Sequence, residues 1–367
     1  MPIQLPQELI SAILSRLPVK ALVRFRCVSK TWLALIKDPT FINLHLHNSR
    51  ECNLIVQTSN VDQNDLQLNF EYYLVPVNFS EDQPVKVLPP IYCPEYLFSL
   101  CGIIGSCNGL VCFRTYDKQL IVIWNPSIRK YKKLPFEPVK FEYPTENFAF
   151  GYDSVNNDYK VLKIMEFGRM FFEVHVYSLK AHSWRLVEDK WPFKGLRICS
   201  KPIYFNGTLL WLVKNWTDRI RLLAFRLTTE KFEEQTLPVE PRAIETLDVL
   251  EGSICVSAYR PDAQCIDFWI MKETNWTQLC TLPVPLTLLH TFLPRLMMMG
   301  IEMTWRVVFS TDDGEKVLME MVYNNNKNYF WYDIKKKTHS NALTHIGKMT
   351  WIETCVGSLF ILDGDSV

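Results

Sequence analysis

The chain has 367 residues, 48% hydrophobic and 22% charged, which is the composition of an ordinary globular protein with room for one large and one small domain. Its 40 basic and 39 acidic side chains give a net charge of +1, so no overall field would attract nucleic acid or an anionic membrane. The longest apolar run, residues 286–299, is interrupted by His290, Pro294 and Arg295 and is too short to span a membrane.

The N-terminus lacks the pattern of a secretory signal, so we expect the chain to stay inside the cell, in the cytoplasm, the nucleus or both. Eleven cysteines without a CxxC pair then indicate reduced thiols rather than disulfides or a zinc site. The seven histidines show no metal-ligand spacing, and neither a GxSxG motif nor a glycine-rich phosphate loop occurs. We therefore expect no cofactor, no metal and no catalytic residue.

Apolar side chains in the first 48 residues recur with the spacing of short amphipathic helices. Pro6 and Glu8 suit the start of a first helix, and Pro18 ends it and can open the next. Asp38 followed by Pro39 predicts the start of a last helix. Three or four short helices cannot bury all of their apolar side chains by themselves. The surplus must face either the following domain or another protein, and the pattern alone leaves both open.

The order of motifs in this helical segment carries a resemblance. The residues concerned are Leu5-Pro6, Glu8-Leu9-Ile10, Ile13-Leu14, Leu17-Pro18, Leu22, Arg24-Phe25-Arg26-Cys27-Val28-Ser29-Lys30 and Trp32. They resemble an F-box in the form common among plant F-box proteins. The resemblance implies that residues 1–48 dock onto a Skp-type adaptor, which joins a cullin in a multisubunit ubiquitin ligase. The contacts it implies are Leu5, Pro6, Leu9, Ile13, Leu17, Pro18, Leu22, Val28 and Trp32.

Basic side chains at Lys20, Arg24, Arg26 and Lys30 raise the alternative of a DNA-reading helix-turn-helix. A recognition helix would present a polar face, whereas these charges interleave with apolar anchors. They fit better as the polar border of an apolar docking surface. We therefore expect neither a nucleic acid nor a membrane as partner.

Beyond His47, short runs of Val, Ile, Phe, Tyr and Trp alternate with Gly, Asn, Asp and Pro, which predicts many short strands. A glycine followed by an aliphatic run recurs at Gly109, Gly207, Gly252 and Gly357, with gaps of 98, 45 and 105 residues. A second motif, an apolar strand followed by a polar turn and an aromatic residue, recurs over residues 121–135, 174–184, 222–238, 267–283 and 329–340. Both motifs indicate a period near 50 residues, which is typical of four-stranded propeller blades.

Four stretches, GSCNGLVCF, WNPSIRKYKKLP, FAFGYDSVNNDYKVLKI and VHVYSLKAHSWR, are similar to the F-box-associated domain of the plant F-box family. The resemblance implies a kelch-like β-propeller over residues 49–367, and the period implies about six blades. The expected fold class is α+β multidomain, a small all-helical domain followed by an all-β propeller. Since a propeller avoids bare strand edges by closing its ring, we predict that residues 351–362 pair beside residues 52–57.

Together the two resemblances imply the substrate-recognition subunit of an SCF-type (Skp–cullin–F-box) ubiquitin ligase. The helices would bind the adaptor, and one propeller face would capture an unknown target protein for ubiquitylation and degradation. The chain itself would be a non-catalytic adaptor. Candidate target-binding loops are residues 140–146, 193–197, 215–219, 259–264 and 288–299. The alternative is an interaction propeller that acts without ubiquitylation and whose helices merely pack on the propeller.

Overall fold

Helices fill the first part of the chain and strands follow them in the computed structural model of the protein. The structure describes residues 6–48, 52–61, 68–76, 85–87, 101–115, 120–135, 145–167, 171–188, 195, 197–215, 217, 219–239, 244–250, 252–260, 262–283, 303–311, 315–323, 326–342 and 349–362. Among these residues, four helices precede 25 strands in six sheets, which confirms the predicted fold class.

Each of the four helices starts directly after a residue that suits a helix N-terminus, either a proline or a side chain that caps the first turn. They are α1 (Gln7–Leu14), α2 (Val19–Phe25), α3 (Lys30–Lys37) and α4 (Pro39–Asn48). A proline stands just before α1 and α2, where its missing N–H interrupts no helical hydrogen bond. Ser29 caps α3 by accepting a hydrogen bond from the N–H of Trp32 at 3.1 Å. Asp38 caps α4 in the same way, from the N–H of Thr40 at 2.8 Å.

The strands form six sheets, here numbered as blades in chain order. Blade 1 consists of β1 (Cys52–Val61), β2 (Leu68–Pro76), β3 (Val85–Val87) and the last strand, β25 (Met349–Val356). Blade 2 consists of β4 (Cys101–Cys107), β5 (Leu110–Thr115), β6 (Ile121–Asn125) and β7 (Lys130–Lys133). Blade 3 consists of β8 (Thr145–Asp153), β9 (Asp158–Phe167), β10 (Phe171–Ser178) and β11 (Ser183–Leu186).

The remaining three sheets are blades 4 to 6, of which blade 4 has five strands and the other two have four. Blade 4 consists of β12 (Arg197–Ile198), β13 (Ile203–Phe205), β14 (Thr208–Lys214), β15 (Ile220–Arg226) and β16 (Lys231–Gln235). Blade 5 consists of β17 (Ile244–Leu250), β18 (Ser253–Arg260), β19 (Cys265–Lys272) and β20 (Asn275–Pro283). Blade 6 consists of β21 (Met303–Ser310), β22 (Lys316–Tyr323), β23 (Asn326–Asp333) and β24 (Thr338–Asn341).

Three of the four glycine motifs form tight turns into a strand. Asn108-Gly109 joins β4 to β5, and Asn206-Gly207 joins β13 to β14. All four residues have φ between 44° and 76°, the conformation that a two-residue type I′ hairpin requires and that favours Asn-Gly. Gly252, with φ 68°, occupies the same place between β17 and β18.

The second sequence motif forms the hairpin of the last two strands in blades 2 to 6. An aromatic side chain of the last strand faces a large residue of the strand before it at the equivalent register position in each blade. The pairs are Trp124 with Tyr131, Tyr177 with Trp184, Phe225 with Phe232, Met271 with Trp276, and Tyr332 with His339. Such cross-strand pairs stabilise a hairpin, and their recurrence in blades 2 to 6 gives the sequence its period.

The chain divides into two units, residues 1–137 with 351–367, and residues 138–350. In the first unit, a core between blades 1 and 2 buries Ile55, Phe113 and Trp124. In the second unit, blade 3 packs on blade 4 around Trp211. Similar apolar cores lie between blades 4 and 5 and between blades 5 and 6. Face-to-face burial of one sheet on the next is thus the packing mode within each unit.

The strand predicted over residues 351–362 ends at Val356 in the structure. β25 lies beside β1, so the two ends of the chain share blade 1. The prediction that residues 357–362 belong to that strand is wrong, because they continue without strand structure. Gly357 also does not adopt the positive φ of Gly109, Gly207 and Gly252, so no tight turn into a further strand forms there.

A buried charge cluster joins blades 3 and 4. Lys160 Nζ donates to Asp153 Oδ2 at 2.8 Å and to Glu230 Oε1 at 3.0 Å. The side chain of Asp153 is 0% exposed. Burial by itself raises the pKa of Asp153, but hydrogen bonds from Asn156 and Lys160 outweigh burial and hold the pKa well below its ordinary value. The ionised carboxylate is therefore part of the native packing between these two blades.

We expect Asp153→Asn to destabilise the protein at neutral pH and to matter less in acid. The native pKa of Asp153 lies below the unfolded value of about 3.9, so its contribution is present above that pH and is lost as the pH falls towards the native pKa. Removing one of the two carboxylates that Lys160 contacts should cost about 3 kcal/mol at pH 7. Urea unfolding of both proteins between pH 7 and pH 3 measures the difference. A difference in unfolding free energy that does not narrow below about pH 5 would contradict the assignment.

Candidate functional site: the N-terminal helices

The four helices pack around one small apolar core. Its buried side chains from the helices are Leu14, Val19, Leu22, Ile36, Phe41 and Ile42. Phe25 and Trp32 both pack against this core. Their rings meet edge to face, with centroids 5.5 Å apart. The apolar stripes of α2, α3 and α4 are thereby largely used within the helical segment.

Two polar contacts fix α4 on the connection between α1 and α2. His45 is 0% exposed, and its Nε2 lies 2.9 Å from the carbonyl oxygen of Leu17. Asn48 Nδ2 donates to Ser15 Oγ at 2.9 Å. The sequence spacing of His45 gave no indication of this role in holding α4, and His45 was considered there only as a possible metal ligand.

Residues 357–362, the C-terminal segment, complete the helical core. Leu359 is 0% exposed and belongs to the same apolar cluster as the helices, together with Ile128 and Phe360. Burying a leucine side chain of this kind contributes about 1.5–3 kcal/mol. Part of the apolar surface that the helices cannot bury by themselves is therefore covered by residues of the propeller and of the C-terminal segment.

The turn after β6 holds the C-terminal segment in place. Asn125 Nδ2 donates to the carbonyl oxygens of Ser358 and Phe360, both at 3.0 Å. The N–H of Ser358 donates to Ser127 Oγ at 3.4 Å. A Cβ on Gly109 would lie 2.4 Å from the Cβ of Ser358, so only glycine permits this approach. The WNPSIRKY stretch of the sequence thus supplies both a socket for the C-terminal segment and Ile128 for the helical core.

Three of the sequence-predicted contacts are large apolar side chains exposed to solvent. Leu9 is 51% exposed, Ile13 is 55% exposed and Val28 is 60% exposed. Leu9 and Ile13 are four residues apart on α1 and therefore share one face of it. Pro6 and Pro18 are exposed as well. Exposed apolar side chains that the fold does not use are typical of a surface that another molecule covers.

The other predicted contacts lie elsewhere. Leu22 is 0% exposed in the helical core, so the prediction that it contacts a partner directly is corrected: it supports the helices from within. Leu17 and Trp32 are half-buried and pack against that core. Leu5 lies outside the described residues. Leu44 on α4, which sequence reasoning did not select, is 38% exposed.

The described ranges contain neither a cluster of metal-ligand side chains nor a membrane-spanning helix. No group of three or more His, Cys, Asp or Glu side chains there could hold a metal ion. None of the helices in this part of the chain is long and apolar enough to cross a membrane.

Known protein families match both parts of the chain. The family model described as the F-box associated beta propeller domain matches residues 66–359, and the F-box domain model matches residues 3–44. The chain belongs to the F-box-associated β-propeller family. Its F-box coincides with the four helices, and α4 extends to Asn48 beyond the matched range.

Relatives of this F-box protein come from Arabidopsis thaliana. An F-box/kelch-repeat protein is 29% identical over 306 residues, which cover 77% of this chain and 80% of that protein. The F-box protein CPR1 is 29% identical over 374 residues, which cover 92% of this chain and 83% of CPR1. The likeness therefore extends over the F-box and the propeller together.

Leu359→Ala should destabilise the F-box helices. It leaves a cavity in the helical core, and leucine-to-alanine changes at buried sites cost about 2–5 kcal/mol. Hydrogen exchange of amides in α1 to α4 should accelerate accordingly. Leu279→Ala is the matched control, because Leu279 is 42% exposed in blade 5. Equal exchange in the two variants would show that the C-terminal segment does not support the helices.

Proposed function

We propose that this F-box protein is the substrate-recognition subunit of an SCF-type ubiquitin ligase. Its helices dock on a Skp-type adaptor, and through that adaptor the chain joins a cullin. Its propeller binds a target protein, which is then ubiquitylated and degraded. We also propose that the protein acts in the cytoplasm, the nucleus or both.

The observation that carries the proposal is the exposed apolar face of α1. Leu9 and Ile13 are more than half exposed, although the neighbouring Leu14 of the same helix is buried at 3% exposure. The helical segment therefore builds a complete core and still leaves large aliphatic groups in water. Covering them with a partner removes apolar surface from water, which is the main source of association free energy.

The chemistry of ubiquitin transfer then belongs to the assembled complex. Tethering a target to the adaptor converts a bimolecular encounter into an intramolecular one, with an effective concentration in the millimolar range for short connections. Positioning alone can lower the barrier of a bimolecular step substantially. The task of this chain is to hold the target, with no residue of its own taking part in bond formation.

One observation favours a second candidate function. Ile128, Leu359 and Phe360 of the β-domain pack on the helices, as expected of helices that merely support an interaction propeller. In that case the protein would bind its target without ubiquitylation. The exposed Leu9 and Ile13 would then have no partner, and this difference separates the two functions.

Replacing Leu9 and Ile13 together by alanine should remove adaptor binding without unfolding the protein. Each truncated anchor at an interface hot spot costs about 2 kcal/mol, or roughly thirtyfold in affinity. Co-purification with a recombinant Skp-type adaptor, followed by calorimetry, measures the loss. The thermal unfolding midpoint should stay close to that of the wild type, because both side chains are exposed.

The matched control replaces two apolar side chains of the propeller that are at least as exposed as Leu9 and Ile13. Val155 is 74% exposed and Leu186 is 57% exposed, so Val155→Ala with Leu186→Ala removes similar surface outside the helices. This variant should bind the adaptor as the wild type does. If the Leu9 and Ile13 variant bound the adaptor as tightly as the wild type does, binding of a target without ubiquitylation would be the better-supported function.

A further inference from the structure

Positive charge is concentrated on the N-terminal helices. Residues 1–48 carry six basic and two acidic side chains, a net charge of +4, whereas the whole chain carries +1. The rest of the protein is therefore slightly acidic. The basic side chains of the helical segment are Arg16, Lys20, Arg24, Arg26, Lys30 and Lys37.

Most of these cations have no acidic partner among the residues that the structure describes. Five of them are exposed and form no ion pair with any described residue: Arg16, Lys20, Arg24, Lys30 and Lys37. Arg26 is half-buried, and its Nε and Nη2 have no hydrogen-bond partner in the part of the chain that the structure describes. Intramolecular salt bridges therefore do not account for the basic residues.

Helix stability accounts for some of the charges and not for others. Arg24 and Lys37 lie in the last turns of α2 and α3, where a cation favours the helix dipole. Lys20 and Lys30 lie in the first turns of the same helices, where a cation opposes the dipole. Both acids of the segment, in contrast, occupy favourable places at helix N-termini. Lys20 and Lys30 thus stand where they weaken their own helices.

Two of the cations are aligned with one of the exposed apolar side chains. Lys20, Arg24 and Val28 are spaced four residues apart, and Lys20 and Arg24 are the exposed positions of α2. The N–H of Val28 donates to the carbonyl of Phe25 at 3.0 Å, so the helical turn continues up to Val28. A basic border beside an apolar contact is the arrangement expected of an interface with an acidic partner.

We propose that the helical segment recognises an acidic surface on its adaptor, and that Lys20 and Lys30 steer the association. The inference deepens the proposed function and rests on it. Opposite charges around an apolar contact accelerate the diffusional encounter more than they tighten the final complex. Binding should therefore become faster as the ionic strength is lowered.

Stopped-flow association of the full-length protein with a recombinant Skp-type adaptor, from about 20 to 500 mM salt, tests the proposal. In Lys20→Gln with Lys30→Gln, the association rate at low salt should fall roughly three- to tenfold and its salt dependence should flatten. The thermal unfolding midpoint should stay the same or rise, because two unfavourable helix-dipole interactions are removed. Lys231→Gln with Lys272→Gln is the control, since it removes the same charge from exposed positions outside the helices.

An association rate and a salt dependence equal to those of the wild type would overturn the proposal, as would an equal loss in the control. If such unchanged adaptor kinetics accompanied a loss of binding to duplex DNA, the cations would belong to a nucleic-acid contact instead. Failure of the wild-type protein to bind the adaptor at any salt would refute the proposed function, and the steering role with it. The two failures are thus distinguishable in one series of measurements.

Discussion

The burial of Leu359 among the F-box helices is the contact that joins the two parts of this protein. A helical segment of only 48 residues has little core of its own, and here the C-terminal segment, residues 357–362, adds a leucine to it. The same stretch is held by Asn125 and by the close approach of Gly109 to Ser358. The helices are therefore attached to blade 2 by packing, in addition to the chain connection that leads from Asn48 to β1 in blade 1.

This attachment limits which apolar side chains remain for a partner. The core takes Leu22, and the C-terminal segment covers part of the helical surface, but neither reaches Leu9 or Ile13. The proposed docking surface is thus narrower than the apolar pattern of the sequence and lies mainly on α1. The basic border begins on α2, where Lys20 and Arg24 are the exposed positions. An apolar centre with a charged border matches the general anatomy of protein interfaces.

Much of the fold was predictable because the same local features recur in several blades. Asn-Gly turns and cross-strand aromatic pairs leave a period near 50 residues that needs no tertiary information. The stretch from Val356 to Leu359 reads like another such turn, yet Gly357 lacks the positive φ and the chain turns to the helices instead. Leu22 was misassigned for a related reason, since periodicity marks apolar positions and does not tell which of them the core takes. The roles of Asn125 and His45 depend on residues distant in sequence and left no local signal.

Hydrogen–deuterium exchange of the full-length protein, with and without a Skp-type adaptor, tests the central claim most directly. Peptides that cover α1 and the turn from Arg26 to Val28 should gain protection in the complex, because these parts carry the exposed apolar side chains Leu9, Ile13 and Val28. Peptides from α4, which is already tied down by His45, and from the cross-strand hairpins of blades 3 to 6 should exchange as before. Protection confined to the propeller, or absent throughout, would contradict a docking role for the helices.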